Sequence, residues 1–179
     1  MNLYYFTLTT ALMIGTMGIF LCIKPEKTLG FAHGLMRSQK AAILFLLIGL
    51  IWFLFKHVQN LGEAEFGDYK YVIGFIATGV ALSSYFFIND FLSVRAFCIL
   101  ALLYSREVLD AAFLQEPQSR LFLVSAIYFI IILSLYFGAW PYRLRDLIKH
   151  FNANSKKVTL LGAIIFIYAL LLIVVSFNY

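Results

Sequence analysis

Apolar residues in this chain come in long blocks; they neither alternate nor recur on one helical face. Five blocks carry no charge: Leu3 to Ile23, Ala41 to Phe55, Tyr71 to Ile88, Leu121 to Trp140 and Val158 to Phe177. A bilayer core of about 30 Å is crossed by about 20 such residues in a helix, so each block predicts a membrane-spanning helix. The second block has only 15 residues, about 22 Å of helix. Lys40 and Lys56 frame it. Their stems can snorkel and let the helix gain a turn at each end.

A sixth block, Phe91 to Leu114, contains Arg95, Arg106, Glu107 and Asp110. The polar segments decide whether it crosses. Lys24 to Lys40 holds Lys24, Lys27, Arg37 and Lys40 against Glu26 alone, and Pro141 to Lys157 holds Arg143, Arg145, Lys149, Lys156 and Lys157 against Asp146 alone. Lys56 to Lys70 sets two lysines against Glu63, Glu65 and Asp68, and Arg120 is balanced by Glu116. Cytoplasmic segments carry the excess of Lys and Arg, so the two basic segments belong on one side. An even number of crossings must then separate them. Three clear blocks lie between, and the charged block supplies the fourth. The predicted fold is an all-α integral membrane bundle of six transmembrane helices, with both termini outside. Its helices cover residues 3–23, 41–57, 71–88, 91–113, 121–140 and 158–177 of a single domain, 1–179.

Tyr142 to Phe151 follows another pattern. Leu144, Leu147, Ile148 and Phe151 fall at i, i+3, i+4 and i+7, with charged residues between them. This predicts an amphipathic helix over residues 142–151 in the cytoplasmic interface. Arg143, Arg145 and Lys149, with the nearby Lys156 and Lys157, would rest on anionic headgroups. Lys24 to Lys40 is expected as a loop. The two basic segments nevertheless look alike. One opens with Pro25 and ends Ser38-Gln39-Lys40; the other opens with Pro141 and ends Ser155-Lys156-Lys157. A worn duplication of a helical hairpin and a shared topological rule both account for that.

Composition narrows the classes. Hydrophobic residues make up 63% and charged residues 13%, with mean hydropathy +0.89. Exchanging the 11 Tyr for the 11 Gly leaves 63%, where soluble domains average about 45–50% apolar and about 25% charged. So little charge could not cover so much apolar surface in water, which excludes a soluble enzyme, a nucleic-acid-binding domain and a disordered chain. The net charge of +5 belongs to the basic segments and is weak evidence for a nucleic-acid partner. Cys22 and Cys98 lie in apolar blocks, so neither a disulfide framework nor a thiolate metal motif is expected. Met1 to Ile23 lacks a basic n-region and a small-residue cleavage site, which predicts a retained helix. Short loops without Asn-x-Ser/Thr suit a bacterial inner membrane.

The charged block holds the strongest chemistry. Arg106 and Asp110 are four apart on one helix face and can pair. Arg95, eleven residues before Arg106, points the same way, and Glu107 is turned by about 100°. Charges at membrane depth cost roughly 2.5–3.5 kcal/mol each and usually face a bundle interior or a wet cavity. Arg95, Arg106, Glu107 and Asp110 therefore form a candidate intramembrane polar site. Glu107 or Asp110 would take a cation or proton, and Arg106 an anion. The alternative is a structural ion pair. A helix centred at Leu100–Ala101 places Arg106 about 8–9 Å and Asp110 about 14 Å from the midplane.

Other candidates are weaker. Glu63, Glu65 and Asp68 lack EF-hand spacing and read as a solvated loop. His33, His57 and His150 are scattered over both sides, which argues against a shared metal or haem. No P-loop, dinucleotide fingerprint, HExxH or Ser/His arrangement is present. Gly15-x-x-Gly18, Gly74 and Gly79 are expected to mark close helix contacts. The leading expectation is a non-enzymatic membrane component or accessory subunit without a cofactor. Its partners would be the bilayer and packing helices, from another subunit or a second copy. A small transporter or channel lined by the charged helix comes next. A lipid-modifying enzyme, with Arg106 on a phosphate, comes third.

Overall fold

The computed structural model describes residues 3–62, 67–87, 91–116, 118–152 and 155–177. Among these, all regular structure is helical: α1 (Leu3–Ile23), α2 (Pro25–Arg37), α3 (Gln39–Trp52), α4 (Lys70–Phe87), α5 (Leu92–Ala112), α6 (Arg120–Ala139), α7 (Pro141–Asn152) and α8 (Ser155–Ser176). A π-helical turn, Phe53–Val58, prolongs α3, and a 3₁₀ turn, Gly67–Tyr69, precedes α4.

Local chemistry sets the breaks. Pro25 and Pro141 lack an N–H, so each ends the preceding helix and opens a new one at its first position, where no N–H is needed. Ser38 leaves the helical region and caps α3, its Oγ accepting from the Ala41 N–H at 3.3 Å. In the π turn the Gln59 N–H reaches back five residues to the Leu54 carbonyl, 3.0 Å away. The continuous helix Gln39–Val58 has 20 residues, so the short block gains length at both lysines as expected. Phe91, left-handed at φ 57°, is the N-cap of α5; Phe113 turns extended and ends it, and Leu114 follows at φ 55°. Each left-handed residue costs about 1–2 kcal/mol. The Arg120 guanidinium donates to the carbonyls of Ala112 and Gln115, covering acceptors left free at the α5 end.

Five helices are long and apolar enough to cross a membrane: α1, α3 with its π turn, α4, α6 and α8. The chain thus carries the helices of a membrane-embedded protein. α5 has 21 residues, about 31 Å, and is set apart from the five by its ionised side chains rather than by its length. It lies between α3 and α6, while α1 runs along α8. Among the described residues α4 packs mainly on α3 and the turns beside it and has no buried residue. Two apolar clusters fill the bundle. One joins Ala11, Val108, Leu123, Ile127 and Leu172. The other, toward the opposite end, joins Leu21, Leu29, Met36, Val94, Ile148 and Val158.

The second cluster corrects one expectation: residues 25–37 are a helix, not a loop, and its Leu29 and Met36 face the bundle. The expected amphipathic helix forms as α7; its Leu144, Ile148 and Phe151 pack on the bundle end, and Leu147 alone of the four is exposed. The apolar ends of α1, α5 and α8 offer those side chains a fixed surface at contact distance. α2 and α7 also touch each other. The likeness of the two basic segments therefore extends to structure: helix, proline-led amphipathic helix, helix, in α1–α2–α3 and again in α6–α7–α8.

Candidate functional site

The charges of α5 divide into two places. The helix midpoint is Leu102. Arg106 lies about 6 Å beyond it and Asp110 about 12 Å, toward the end away from α2 and α7; Arg95 lies about 10 Å on the other side. Arg95 is thus about 16 Å along the axis from Arg106, and the four expected residues do not form one site. Arg106 and Asp110 do pair, Nε to Oδ2 at 3.8 Å, but at 64% and 72% exposure they sit on the outside of the bundle. Ser105, Val108 and Ala112 occupy the inward face of this stretch.

Glu107, turned from its neighbours, points to α3. Its Oε2 is 3.2 Å from Lys56 Nζ, and its side chain is 17% exposed. Lys56 and His57 both sit on the π turn, a feature that recurs at functional sites. The His57 ring stacks on Phe53 at 5.7 Å and 17°. Its Nδ1 is buried with no hydrogen-bond partner among the described residues. Across the α3–α5 seam the structure brings together Lys56 and Glu107, with His57 next to Lys56 on the π turn, while Arg106 and Asp110 pair with each other on the exposed face of α5. Sequence reasoning missed Lys56 and His57 as members. Shared depth was the available signal, since both helices end on the same side of a six-helix topology.

The Lys56–Glu107 pair links α3 to α5, and the Arg106–Asp110 pair lies within α5. Each carboxylate has a cation, so the formal charge of the four sums to zero. Among the described residues, no three His, Cys, Asp or Glu converge as a metal site would require. Two tyrosines add polar ties: the Tyr104 hydroxyl meets Thr10 Oγ1 at 2.7 Å and Thr9 Oγ1 at 3.2 Å, joining α5 to α1. The Tyr168 hydroxyl donates to the Phe122 carbonyl at 2.8 Å, joining α8 to α6.

The other candidates fall apart spatially. Arg143, Lys149, Lys156 and Lys157 are exposed around the α7 end, with Arg143 over the Tyr142 ring at 5.7 Å. Arg145 donates to its neighbour Asp146 at 3.0 and 3.1 Å. His33 lies in α2 and His150 in α7, at the end opposite His57. Glu63 and Glu65 are outside the described residues; Asp68 is in the 3₁₀ turn. No family model matches the chain, and neither does any curated protein or solved structure.

Proposed function

We propose that the chain is a non-enzymatic integral membrane component with six crossings, both termini outside and a basic inner platform made by α2 and α7. One observation carries it. α5 is wedged between the apolar helices α3 and α6, and it contributes to both apolar clusters, through Val94 and Cys98 in one and Val108 and Ala112 in the other. A helix flanked along its length by two spans shares their depth. Six crossings then put α2 and α7 beneath one leaflet, as their cations require. The Lys56–Glu107 pair at the outer end holds α3 to α5. The bilayer and packing helices are the partners, and the short connections suit a bacterial cytoplasmic membrane. Single-cysteine labelling in a Cys-less background tests the topology. Reporters at Lys27 and Lys149 label from the inner side and one at Asn60 from the outer; Lys27 and Lys149 in opposite compartments would overturn it.

A second reading, a small ion or proton transporter, is favoured by the buried Nδ1 of His57, unpartnered among the described residues and next in sequence to Lys56, which pairs with Glu107. Proteoliposomes separate the two. The component reading expects no proton flux above empty vesicles. Flux that Glu107→Gln abolishes would replace it with the transporter.

A further inference from the structure

At the end opposite the charged site, a cavity of about 240 Å³ opens between the α2–α3 junction, the last turn of α4 and the first turn of α5. Its chemistry is two-sided. Arg37, Gln39 and Tyr85 supply polar groups, and Met36, Phe86 and Leu92 supply an apolar wall. The hydroxyls at its edge are already engaged: Ser38 accepts from Ala41, and Ser93 donates to the Leu35 carbonyl at 2.7 Å, pinning α2 to α5. Arg37 is exposed and enters no ion pair among the described residues. Gln39 and Leu92 begin α3 and α5 here while α2 and α4 end at the same cavity, so the helix dipoles oppose one another and Arg37 supplies the positive charge of the site.

We propose that this cavity holds the phosphate headgroup of an anionic glycerophospholipid, with its acyl chains lying outside against Phe86 and the exposed face of α4. Size favours a headgroup over a whole ligand, because pockets that enclose drug-sized molecules run to about 300–1,000 Å³. Depth agrees: the cavity lies where the apolar helix α3 begins and the apolar helix α4 ends, the level at which basic pockets between spans take anionic headgroups. The apolar wall distinguishes a lipid from a free anion, since a soluble phosphate has nothing to place against Met36, Phe86 and Leu92. The proposal rests on the membrane-bundle reading but not on the number of crossings. Binding in detergent has no sidedness, so a failed topology and a failed site are read by different measurements.

Native mass spectrometry of the full chain in non-ionic detergent tests it, with phosphatidylglycerol, phosphatidylcholine and glycerol 3-phosphate as probes. Phosphatidylglycerol adducts are expected to survive and the other two to be lost. Arg37→Gln should lower the retained phosphatidylglycerol about fivefold, the loss expected of one cation near an anionic headgroup. Because Arg37 also closes the last turn of α2, Gln39→Glu is the second variant. It places a carboxylate in the cavity at the first position of α3, where the helix dipole welcomes it, so adducts fall while the melting temperature holds. Lys70→Gln, at the start of α4 and so at the other end of that helix from the cavity, should leave binding intact. Unchanged adducts in Gln39→Glu, equal retention of phosphatidylcholine, or an equal loss in Lys70→Gln would each overturn the proposal. Displacement by equimolar glycerol 3-phosphate would overturn the lipid as its source.

Discussion

α1 and α4 carry the same sequence signature and meet opposite fates. Each is an apolar span with two glycines, Gly15 and Gly18 in one, Gly74 and Gly79 in the other. On α1 the glycines let two backbones touch. A Cβ at Gly18 would lie 2.9 Å from the Phe166 nitrogen and 3.0 Å from the Gly162 oxygen; one at Gly162 would lie 2.9 Å from Leu21 Cβ. On α4, Gly74 faces only the Leu54 and Val58 side chains at 3.5 and 3.7 Å, and Gly79 has nothing within 4 Å. The expectation of a close contact at Gly79 is therefore corrected. What differs is the helix opposite. α8 offers Gly162 and Ala169 at the levels of Gly18 and Gly15, while the end of α3 offers branched side chains. Between helices in lipid, close packing replaces the hydrophobic driving force, so a small residue draws helices together only when a small residue faces it.

The most direct way to break this comparison is Gly18→Leu. Its side chain meets Phe166 and Gly162 backbone, which no rotamer change can clear. Overpacking typically costs about 1–3 kcal/mol and occasionally more; here the upper end is expected, read as a lower unfolding midpoint in detergent. A variant as stable as the parent would mean that α1 and α8 do not touch.

The α3–α5 seam sharpens the contrast, because it lacks facing glycines. Gly49 meets Leu100 at an ordinary 3.7 Å, and the Lys56–Glu107 pair closes the end away from α2 and α7. A double-mutant cycle of Lys56→Met and Glu107→Gln should show a coupling of about 1 kcal/mol, within the range of polar contacts between membrane helices. The exposed Arg106–Asp110 pair should couple more weakly, at about 0.5 kcal/mol or less. No coupling at Lys56–Glu107 would remove its fastening role and favour the transport reading.

The spans were legible because block length and charge answer to the bilayer alone, and loop charge answers to the same solvent boundary. α2 was not, since its cations Lys27 and Arg37 dominate the reading. Its core positions, Leu29 and Met36, are only two in thirteen residues. The pairing of Arg106 with Asp110 was legible because it lies within one helix. The partner of Glu107 was not, because it depends on which faces of α3 and α5 meet, and a π turn resets that face at Lys56 and His57. Periodicity within a segment holds no record of its neighbour's rotation.

The smallest expected effect is the most informative about α4. Gly79→Leu adds a large side chain where the chain itself places nothing within 4 Å. It also replaces a poor helix former with a good one, a gain of up to about 1 kcal/mol in a helix interior. The isolated chain in detergent should therefore be as stable as the parent or slightly more so. The same substitution in the native membrane asks a different question, because Phe75, Val80 and Leu82 are exposed along this helix. If only lipid covers them, the variant accumulates to the parental level. If Gly79→Leu melts normally in detergent yet is depleted in the membrane, a second helix packs against α4 there. The two glycine pairs would then follow one rule, with the partner of α4 supplied from outside the chain.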